Sequence, residues 1–436
     1  MFSSFLASVL FVIFVYAVGI MLAPFPYWRT YLLLWKTVLC SPSTWRAKLK
    51  QIAFLIRVLI TVPFSTFLWY LDEILYPHYR KRIIQPIFII GMPRCRTTFL
   101  HRTLAADDQN FFAMRHIEWR YPFISMQKFI KALGLDNNLK NLNYWSKSEA
   151  GKLAAKMHPN TLADWEEDGI FFEENYLHHF FIFLRFPYPA ILPHLDNFPE
   201  LPQSVQQRML RSYKKVLQKI LYLRGPESRY FVSKEVTSHK KIPALIKMFP
   251  EARFILIARP SNYFMPSLLA LIRMSTLSKT GIDPLSIPEW SDKVIARMRE
   301  DSSRLVHLCR TTIPADKLVL VSSEIFSENL DIAVLAIYHV LGLQYGKNFV
   351  TYLDHLKARQ KSRQRGYDYD SMKLEGFEEY DAFEQEISAR IKANFPSLKS
   401  TVELPPFNEH TIVPHKGIKR WFEHTNLRIR RSFASR

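Results

Sequence analysis

The chain has 436 residues, 48% of them apolar, which is enough to build a real hydrophobic core and excludes a disordered or fibrous protein. Lysine and arginine number 59 against 39 acidic residues, a net charge of +20. This excess indicates an anionic partner, and charge alone leaves nucleic acid, anionic lipid and a polyanionic cofactor open. The three scattered cysteines, Cys40, Cys95 and Cys309, favour a reducing compartment over a disulfide framework or a zinc site.

The N-terminal stretch, residues 1–28, carries no charged side chain, and residues 5–24 are almost wholly apolar. A helix of about 20 apolar residues is long enough to cross a bilayer. A signal peptide would have basic residues before its apolar run, and this stretch has none. We therefore predict an uncleaved anchor. Basic residues follow it from Arg29 onward. The positive-inside tendency therefore predicts a single-pass membrane protein with its main domain in the cytoplasm.

A second apolar stretch, residues 52–70, contains Arg57 in its interior and Pro63 in its middle. A second span here would move the main domain to the other side of the membrane. The interpretation we prefer is an interfacial or domain-packing helix, because the stretch is interrupted by a charge. Residues 29–84 are thus predicted as a membrane-proximal helical region.

Residues 86–90 and 253–258 read as buried strands, and residues 229–235 and 317–321 read as further short strands. These four segments alternate with helical patterns. This alternation predicts an α/β fold over residues 85–410, with a P-loop-like central parallel sheet flanked by helices. Ligands of such folds bind beyond the carboxyl ends of the strands. The remaining residues, 411–436, form a strongly basic tail that either contacts anionic lipid or is simply solvated.

The loop after the first strand reads GMPRCRTT, residues 91–98. Backbone N–H groups at a helix start attract phosphate or sulfate. Gly91 permits the chain reversal, and the Arg94 guanidinium can donate two hydrogen bonds to one anion. Thr97 and Thr98 add hydroxyl donors. The alternative is a plain helix start capped by threonine. The loop lacks the GxxxxGK[ST] pattern, which disfavours an ATP or GTP site with its magnesium ion.

The segment IFIIGMPRCRTTFLHRTLA resembles the strand-loop-helix of the sulfotransferase superfamily, in particular the membrane-linked branch whose loop reads G-x-P-R-S-G-T-T-x-L. A second element of that superfamily, a strand ending in arginine with a serine about eight residues later, is resembled by ARFILIARPSNYFMPSLLALI, which contains Arg259 and Ser267. A third is matched in part: Lys234 agrees, while Val236 replaces a proline and His239 falls one residue late.

The resemblance implies that 3′-phosphoadenosine 5′-phosphosulfate (PAPS) is the donor and that no metal is needed. It assigns the 5′-phosphosulfate to Arg94, Cys95, Arg96, Thr97 and Thr98, with Arg94 also acting on the leaving oxygen. It assigns the 3′-phosphate to Arg259 and Ser267. A basic loop late in the chain, with Arg363 or Arg365, resembles one that closes over the donor in this family.

Two loop positions depart from the family pattern. Cys95 replaces a serine and loses a good hydroxyl donor but keeps its backbone N–H. Arg96 replaces a glycine that allows close backbone approach to the anion. The second departure leaves open a catalytically inactive, sulfotransferase-like binding protein as the alternative to an active enzyme.

The acceptor side needs a base that takes a proton from a hydroxyl. The segment KMHPNTLADWEED, which resembles an H-x…E-E-D segment of the family, offers His158 and Glu167, with Asp168 as a further candidate. Glu166, Glu167 and Asp168 form an acidic triplet, and the plain alternative is that this triplet is a solvated helix start. His116 is a weaker candidate, because a lone histidine is more often structural.

These observations predict a membrane-anchored sulfotransferase that acts on a hydroxyl of an amphiphilic acceptor. The rivals are the inactive relative, an ATP-dependent kinase and a nucleic-acid-binding protein. The kinase lacks its lysine motif, and nucleic-acid binding rests on net charge alone, so we expect no nucleic-acid partner.

Overall fold

The computed structural model describes residues 2–24, 27–177, 179–195, 197–225, 229–236, 239–361 and 374–401. Arg363, Arg365 and the basic tail at 411–436 lie outside these residues, and their predicted roles stay predictions.

A five-stranded parallel sheet forms the centre of the protein, in the order β2-β3-β1-β4-β5. Its strands are β1 (Pro86–Ile90), β2 (Phe111–Phe112), β3 (Tyr230–Glu235), β4 (Arg253–Ala258) and β5 (Leu318–Ser322). The predicted parallel α/β fold is confirmed, and β1, β3 and β4 end side by side.

Helices cover both faces of this sheet. Before β3 they are α1 (Phe2–Met21), α2 (Trp28–Cys40), α3 (Trp45–Leu75), α4 (Thr97–Ala105), α5 (His116–Arg120), α6 (Ile124–Ala132), α7 (Asp136–Leu139), α8 (Glu149–Met157), α9 (Gly169–Glu174) and α10 (Gln203–Arg224). After β3 they are α11 (Ile242–Met248), α12 (Ser261–Thr280), α13 (Trp290–His307), α14 (Ser323–Glu328), α15 (Leu330–Leu341), α16 (Lys347–Lys361) and α17 (Glu378–Thr401).

Short single-turn segments connect these elements. The 3₁₀ turns are Pro77–Lys81, Phe180–Leu184, Pro189–His194, Phe198–Glu200, His239–Lys241, Pro284–Ser286 and Ala315–Lys317, and Leu308–Thr312 is a π turn.

Strand β1 is buried along its whole length, which explains why its sequence is uniformly apolar. Phe88 and Ile90 point to the larger core, which also holds residues of α10, α12 and α13. Ile87 and Ile89 point to a second core that includes residues of α4, α15 and α16. The alternation of side chains along one strand therefore joins the two helical layers to the sheet.

Helix α3 is docked onto the sheet domain by both apolar and charged contacts. Arg57, the charge inside the apolar stretch, pairs with Glu174 of α9. Asp72 pairs with Lys219 of α10 at 3.1 Å, and both side chains are fully buried. By length and composition α3 is the described helix that meets the requirement for crossing a membrane, yet 39% of its most apolar window is buried in the protein. A core helix of a soluble protein meets the same requirement.

Candidate active site

The loop after β1 is held in a conformation that its neighbours fix. Gly91 has φ 153°, and a Cβ atom there would lie 2.5 Å from the carbonyl oxygen of Ile257 in β4. His239, which is fully buried, contacts the Gly91 carbonyl oxygen through Nε2 at 3.2 Å. Residue 91 must therefore be glycine for the loop to sit this close to β4.

Two arginines of this loop adopt left-handed backbone conformations. Arg94 has φ 71° and Arg96 has φ 69°. A non-glycine residue there costs about 1–2 kcal/mol. Arg96 thus takes a backbone conformation that glycine, the residue which the resemblance leads us to expect at this position, would adopt freely. The arginine is therefore compatible with this loop conformation.

The two predicted anion elements meet in the structure. Arg94 donates through Nε to Ser267 Oγ at 2.9 Å and through Nη2 to the Met157 carbonyl oxygen at 3.3 Å. Arg259 donates through Nη1 to the Arg94 carbonyl oxygen at 3.0 Å. Residues 173 positions apart are joined here because β1 and β4 are neighbours in the sheet.

The start of α17 forms the support beneath these elements, and the sequence did not reveal it. Asp381 accepts the Ser261 N–H at 2.8 Å and the Ser261 hydroxyl at 2.6 Å, which caps α12. Tyr380, also buried, accepts the Arg259 N–H at 3.5 Å. The acidic run EEYD at a helix start was the signal available for this capping role.

Cys95 is fully buried, and burial raises the pKa of its thiol to about 12. Its backbone N–H donates to the Met92 carbonyl oxygen at 3.3 Å within the loop. The thiol is therefore neutral at physiological pH and packs rather than reacts. Thr97 is buried at the first position of α4, and Thr98 is half-buried beside it.

Lys234, at the end of β3, connects the loop to the acceptor side. Its Nζ donates to Thr98 Oγ1 at 2.8 Å and to Glu167 Oε1 at 2.6 Å, and it lies 3.2 Å from Glu166 Oε1. The lysine is 3% exposed. Burial would lower its pKa, but the two carboxylates outweigh this effect and raise it, so Lys234 is a fixed cation.

The Glu166 carboxylate contacts three basic side chains, those of Lys234, His158 and Arg102. Its Oε2 atom lies 3.0 Å from His158 Nε2 and 3.2 Å from an Arg102 guanidinium nitrogen. Burial opposes ionisation, but Lys234, His158 and Arg102 together hold the pKa of Glu166 well below its usual range. Burial lowers the pKa of His158, which is therefore neutral at pH 7 and donates Nε2–H to the Glu166 carboxylate.

Glu167 has the opposite electrostatic balance. Burial, with help from the neighbouring Glu166 charge, raises its pKa to about 7 although Lys234 opposes the shift. Asp168 is buried and pairs with Lys241 at 3.5 Å. The acidic triplet is thus a buried network and not a solvated helix start, and Glu167 is the carboxyl suited to exchange a proton near neutral pH.

His116 lies on the edge of this region and packs against Tyr144, with 4.7 Å between ring centroids. Burial lowers the pKa of His116 to about 4, so it stays neutral. Among the described residues no group of three or more His, Cys, Asp or Glu side chains is arranged to hold a metal ion.

A parallel α/β sheet with cationic groups at adjacent strand ends and a buried acid–base network has the features of a group-transfer enzyme. A model of the sulfotransferase family matches residues 86–347, which cover β1 to the start of α16. The chain belongs to the sulfotransferase family and is an enzyme of that class.

Two solved structures show the same fold. Sulfotransferase STF9 from Mycobacterium avium matches with a TM-score of 0.60 and 16% identity, covering 87% of this chain and 95% of its own. Sulfotransferase STF1 from Mycobacterium tuberculosis matches with a TM-score of 0.55 and 14% identity, covering 87% of this chain and 97% of its own. No curated protein matches the sequence.

Proposed function

We propose that this enzyme transfers the sulfuryl group of PAPS to a hydroxyl of an amphiphilic acceptor. The observation that carries the proposal is the contact of Arg259 with the Arg94 carbonyl and of Arg94 with Ser267. PAPS has an anionic group at each end of its sugar-phosphate, so it needs two anion sites side by side. Two adjacent strand ends with these side chains supply that chemistry.

The donor-binding residues divide between the two strand ends. Residues 94–98 are the proposed site for the 5′-phosphosulfate, where the first turn of α4 and the Arg94 guanidinium attract negative charge. Arg259 and Ser267 are the proposed site for the 3′-phosphate. Because Gly91 carries no Cβ, the loop after β1 packs closely against β4, which brings the two proposed anion sites together.

Glu167 is the proposed base for the transfer. It takes the proton of the acceptor hydroxyl while the acceptor oxygen bonds to sulfur and the bond from sulfur to the bridging oxygen of the donor breaks. Lys234, held protonated beside Thr98, and Arg94 stabilise negative charge on the departing phosphate. His158 is the second candidate base, and its bond to Glu166 favours a positioning role.

An inactive binding protein is not the favoured alternative. Arg96 adopts a left-handed backbone conformation that suits a glycine, so the substitution does not force the chain away from the shape of the loop. Membership of the sulfotransferase family supports an active enzyme, and the acid–base network around Lys234 is complete.

The N-terminal region, residues 1–28, is the proposed membrane anchor, with the catalytic domain on the cytoplasmic side. The basic residues that begin at Arg29 support this side, because the cytoplasmic leaflet is anionic. An acceptor presented by a membrane would be amphiphilic. Residues 29–84 are the proposed membrane-proximal region and residues 85–410 the catalytic domain.

The test measures formation of 3′-phosphoadenosine 5′-phosphate from PAPS by the detergent-solubilised full chain, with a phenol and a long-chain primary alcohol as acceptor probes. We expect formation that depends on an added acceptor and that Glu167→Gln slows by about 10²- to 10⁴-fold while donor binding persists. Glu149→Gln is the matched control, because Glu149 is exposed on α8. Absence of acceptor-dependent product with intact donor binding would contradict the proposal.

A further inference from the structure

Helix α3 has an apolar face that points away from the domain. Leu49, Ile56, Ile60, Phe67 and Ile74 follow one another at helical spacings of three or four residues and multiples of them. Each is between 44% and 76% exposed. A stripe of this kind on a helix whose opposite face is already packed indicates a second apolar environment.

Helix α1 extends this face. Tyr16 donates its hydroxyl to the Leu59 carbonyl oxygen, the Gly19 backbone lies against Pro63, and Tyr70 donates to the Leu22 carbonyl oxygen at 3.0 Å. The residue numbers of the contacting pairs rise along both helices, so α1 and α3 run parallel and in the same direction. The α1 side chains at 10–15 remain at least half exposed. The two helices form one broad apolar surface, called the α1–α3 surface below.

A cationic cleft of about 530 Å³ lies where α3 ends, at the amino edge of the sheet. Its charged lining residues are Arg80, Lys81, Arg82, Lys214, Glu251 and Arg253. The first three lie five to seven residues beyond the end of α3, in and just after the turn Pro77–Lys81. Arg80 pairs with Glu73 of α3, which ties the cleft to the end of the apolar surface. The remaining excess of positive charge over Glu251 matches the headgroups of an anionic bilayer.

The contacts of α3 decide how such a surface can meet a membrane. The helix is tied to the domain at Arg57, by Glu174, and again at Asp72, by Lys219. These pairs lie 15 residues apart, which is about 22 Å of helix. A helix held along this length cannot cross a bilayer while its domain stays outside, so only its outward face is accessible to lipid.

We propose that the α1–α3 surface lies flat in one leaflet of an anionic bilayer, with lipid headgroup phosphates in the cationic cleft. This inference rests on the membrane association proposed above. It differs from the single-pass span that the sequence predicts, because α1 lies along α3 and stays on one side of the bilayer. The helices bind as amphipathic helices do, by buried apolar area together with attraction to anionic lipid.

The first test is flotation of the full chain with vesicles of phosphatidylcholine containing phosphatidylserine. We expect Phe67→Asp to reduce the bound fraction at least about tenfold. Val340→Asp is the matched control, because Phe67 is 61% and Val340 59% exposed, and the second lies on α15. Wild-type protein that binds no vesicle, or equal binding by both variants, would overturn the proposal.

The second test separates the cleft from the apolar surface. Lys81→Glu with Lys214→Glu should abolish the preference for phosphatidylserine over phosphatidylcholine alone, a loss of at least about tenfold for two lysines. Lys152→Glu with Lys293→Glu changes the net charge equally at exposed sites elsewhere and should keep the preference. An equal loss in both double variants would show that net charge, and not the cleft, selects the lipid.

The third test distinguishes a flat helix from a spanning one. In reconstituted vesicles of a Cys40→Ser, Cys309→Ser background, Ser3→Cys is treated with a membrane-impermeant maleimide, beside Thr351→Cys as an exposed control. The remaining cysteine, Cys95, is fully buried, and burial raises the pKa of its thiol to about 12, so it stays unreactive. We expect both introduced thiols to react to the same extent without detergent. Protection of Ser3→Cys alone would overturn the proposal in favour of a span.

Sulfuryl transfer is measured on the same variants in detergent, where no bilayer is needed. Phe67→Asp should retain wild-type transfer. If the wild-type protein floats with vesicles but transfers no sulfuryl group, the proposed function is contradicted and the membrane surface is not. If it transfers the sulfuryl group but does not float, the proposed membrane surface is overturned and the function is not.

Discussion

The strand ends of β1 and β4 are the proposed sites for opposite ends of the same ligand, but they are built differently. After β1 the chain makes a tight loop in which Gly91 cannot carry a Cβ and Arg94 and Arg96 have positive φ. After β4 the chain passes directly into α12, whose start is capped by Asp381. The first element is therefore defined by backbone geometry and the second by side chains.

This difference separates the effects of substitutions. A change of backbone freedom should disrupt the β1 loop and leave the β4 end unaffected. Removal of a side-chain charge should weaken the β4 end without altering the fold. The acid–base network around Lys234 should respond in a third way, by changing the rate and its pH dependence.

Gly91→Ala should have the largest effect. The new methyl group would lie 2.5 Å from the Ile257 carbonyl oxygen, and overpacking of this kind costs about 1–3 kcal/mol in stability. We expect loss of donor binding together with reduced stability, measured by titration and by denaturant unfolding. Gly342→Ala is the control, since Gly342 has φ 66° and a Cβ added there would have no atom within 4 Å. Equal effects of both changes would contradict close approach as the cause.

Glu167→Gln should lower kcat by about 10²- to 10⁴-fold, because a general base contributes about that much. Glu167 must be deprotonated to act, and its pKa is about 7. Wild-type kcat should therefore fall about tenfold for each pH unit below 7 and level off above it. His158→Asn should reduce kcat less than Glu167→Gln does, and its kcat should still fall below pH 7, which is the acidic limb of the pH–rate profile. Loss of the limb in His158→Asn, but not in Glu167→Gln, would make His158 the base.

Arg259→Ala should raise the KM for PAPS by about 10- to 100-fold, as expected for losing hydrogen bonds to a charged group. The unfolding transition should change little, because Arg259 is partly exposed. Arg273→Ala provides the comparison, since Arg273 lies on α12 but pairs with Asp283 at 2.6 Å. A similar KM for both variants would remove Arg259 from the donor site.

Arg96→Gly should have the smallest effect. Glycine removes about 1–2 kcal/mol of strain from the left-handed conformation in the folded state. It also makes the unfolded chain more flexible, which lowers the stability by about 0.4–1 kcal/mol. We expect a net stabilisation between zero and about 1.6 kcal/mol, with Arg96→Ala less stable than Arg96→Gly in denaturant unfolding. A large gain in donor affinity for Arg96→Gly would indicate that the arginine blocks the site and would revive the inactive alternative.

Most of the fold could be predicted from the sequence. Apolar runs mark β1 and most of β4, and the limits of β1, β3, β4 and β5 fall within one residue of those expected. Strand β2 has only two residues, too few for a periodic pattern to reveal it. The apolar stretch at 52–70 proved to be the middle of the longer helix α3, because its polar ends continue the helix in contact with the domain.

The candidate site could be predicted in its separate pieces but not in its connections. Arg94 stands out because it follows β1 directly, and Arg259 and Ser267 were identified because their segment resembles a sulfotransferase motif. The bond of Lys234 to Glu167 links β3 to a distant loop, and no local pattern encodes such a pair. The same holds for Asp381, which caps a helix 120 residues earlier. Long-range contacts of this kind depend on the arrangement of the whole sheet.

The measurement that tests the proposed donor site most directly is calorimetric titration without magnesium, comparing 3′-phosphoadenosine 5′-phosphate with adenosine 5′-phosphate. We expect that the intact enzyme prefers the nucleotide with the 3′-phosphate and that Arg259→Ala binds the two equally. We also expect that Arg94→Ala weakens both nucleotides but keeps the preference. Equal binding of the two nucleotides by the intact enzyme, or a preference that survives Arg259→Ala, would contradict a donor site shared between the ends of β1 and β4.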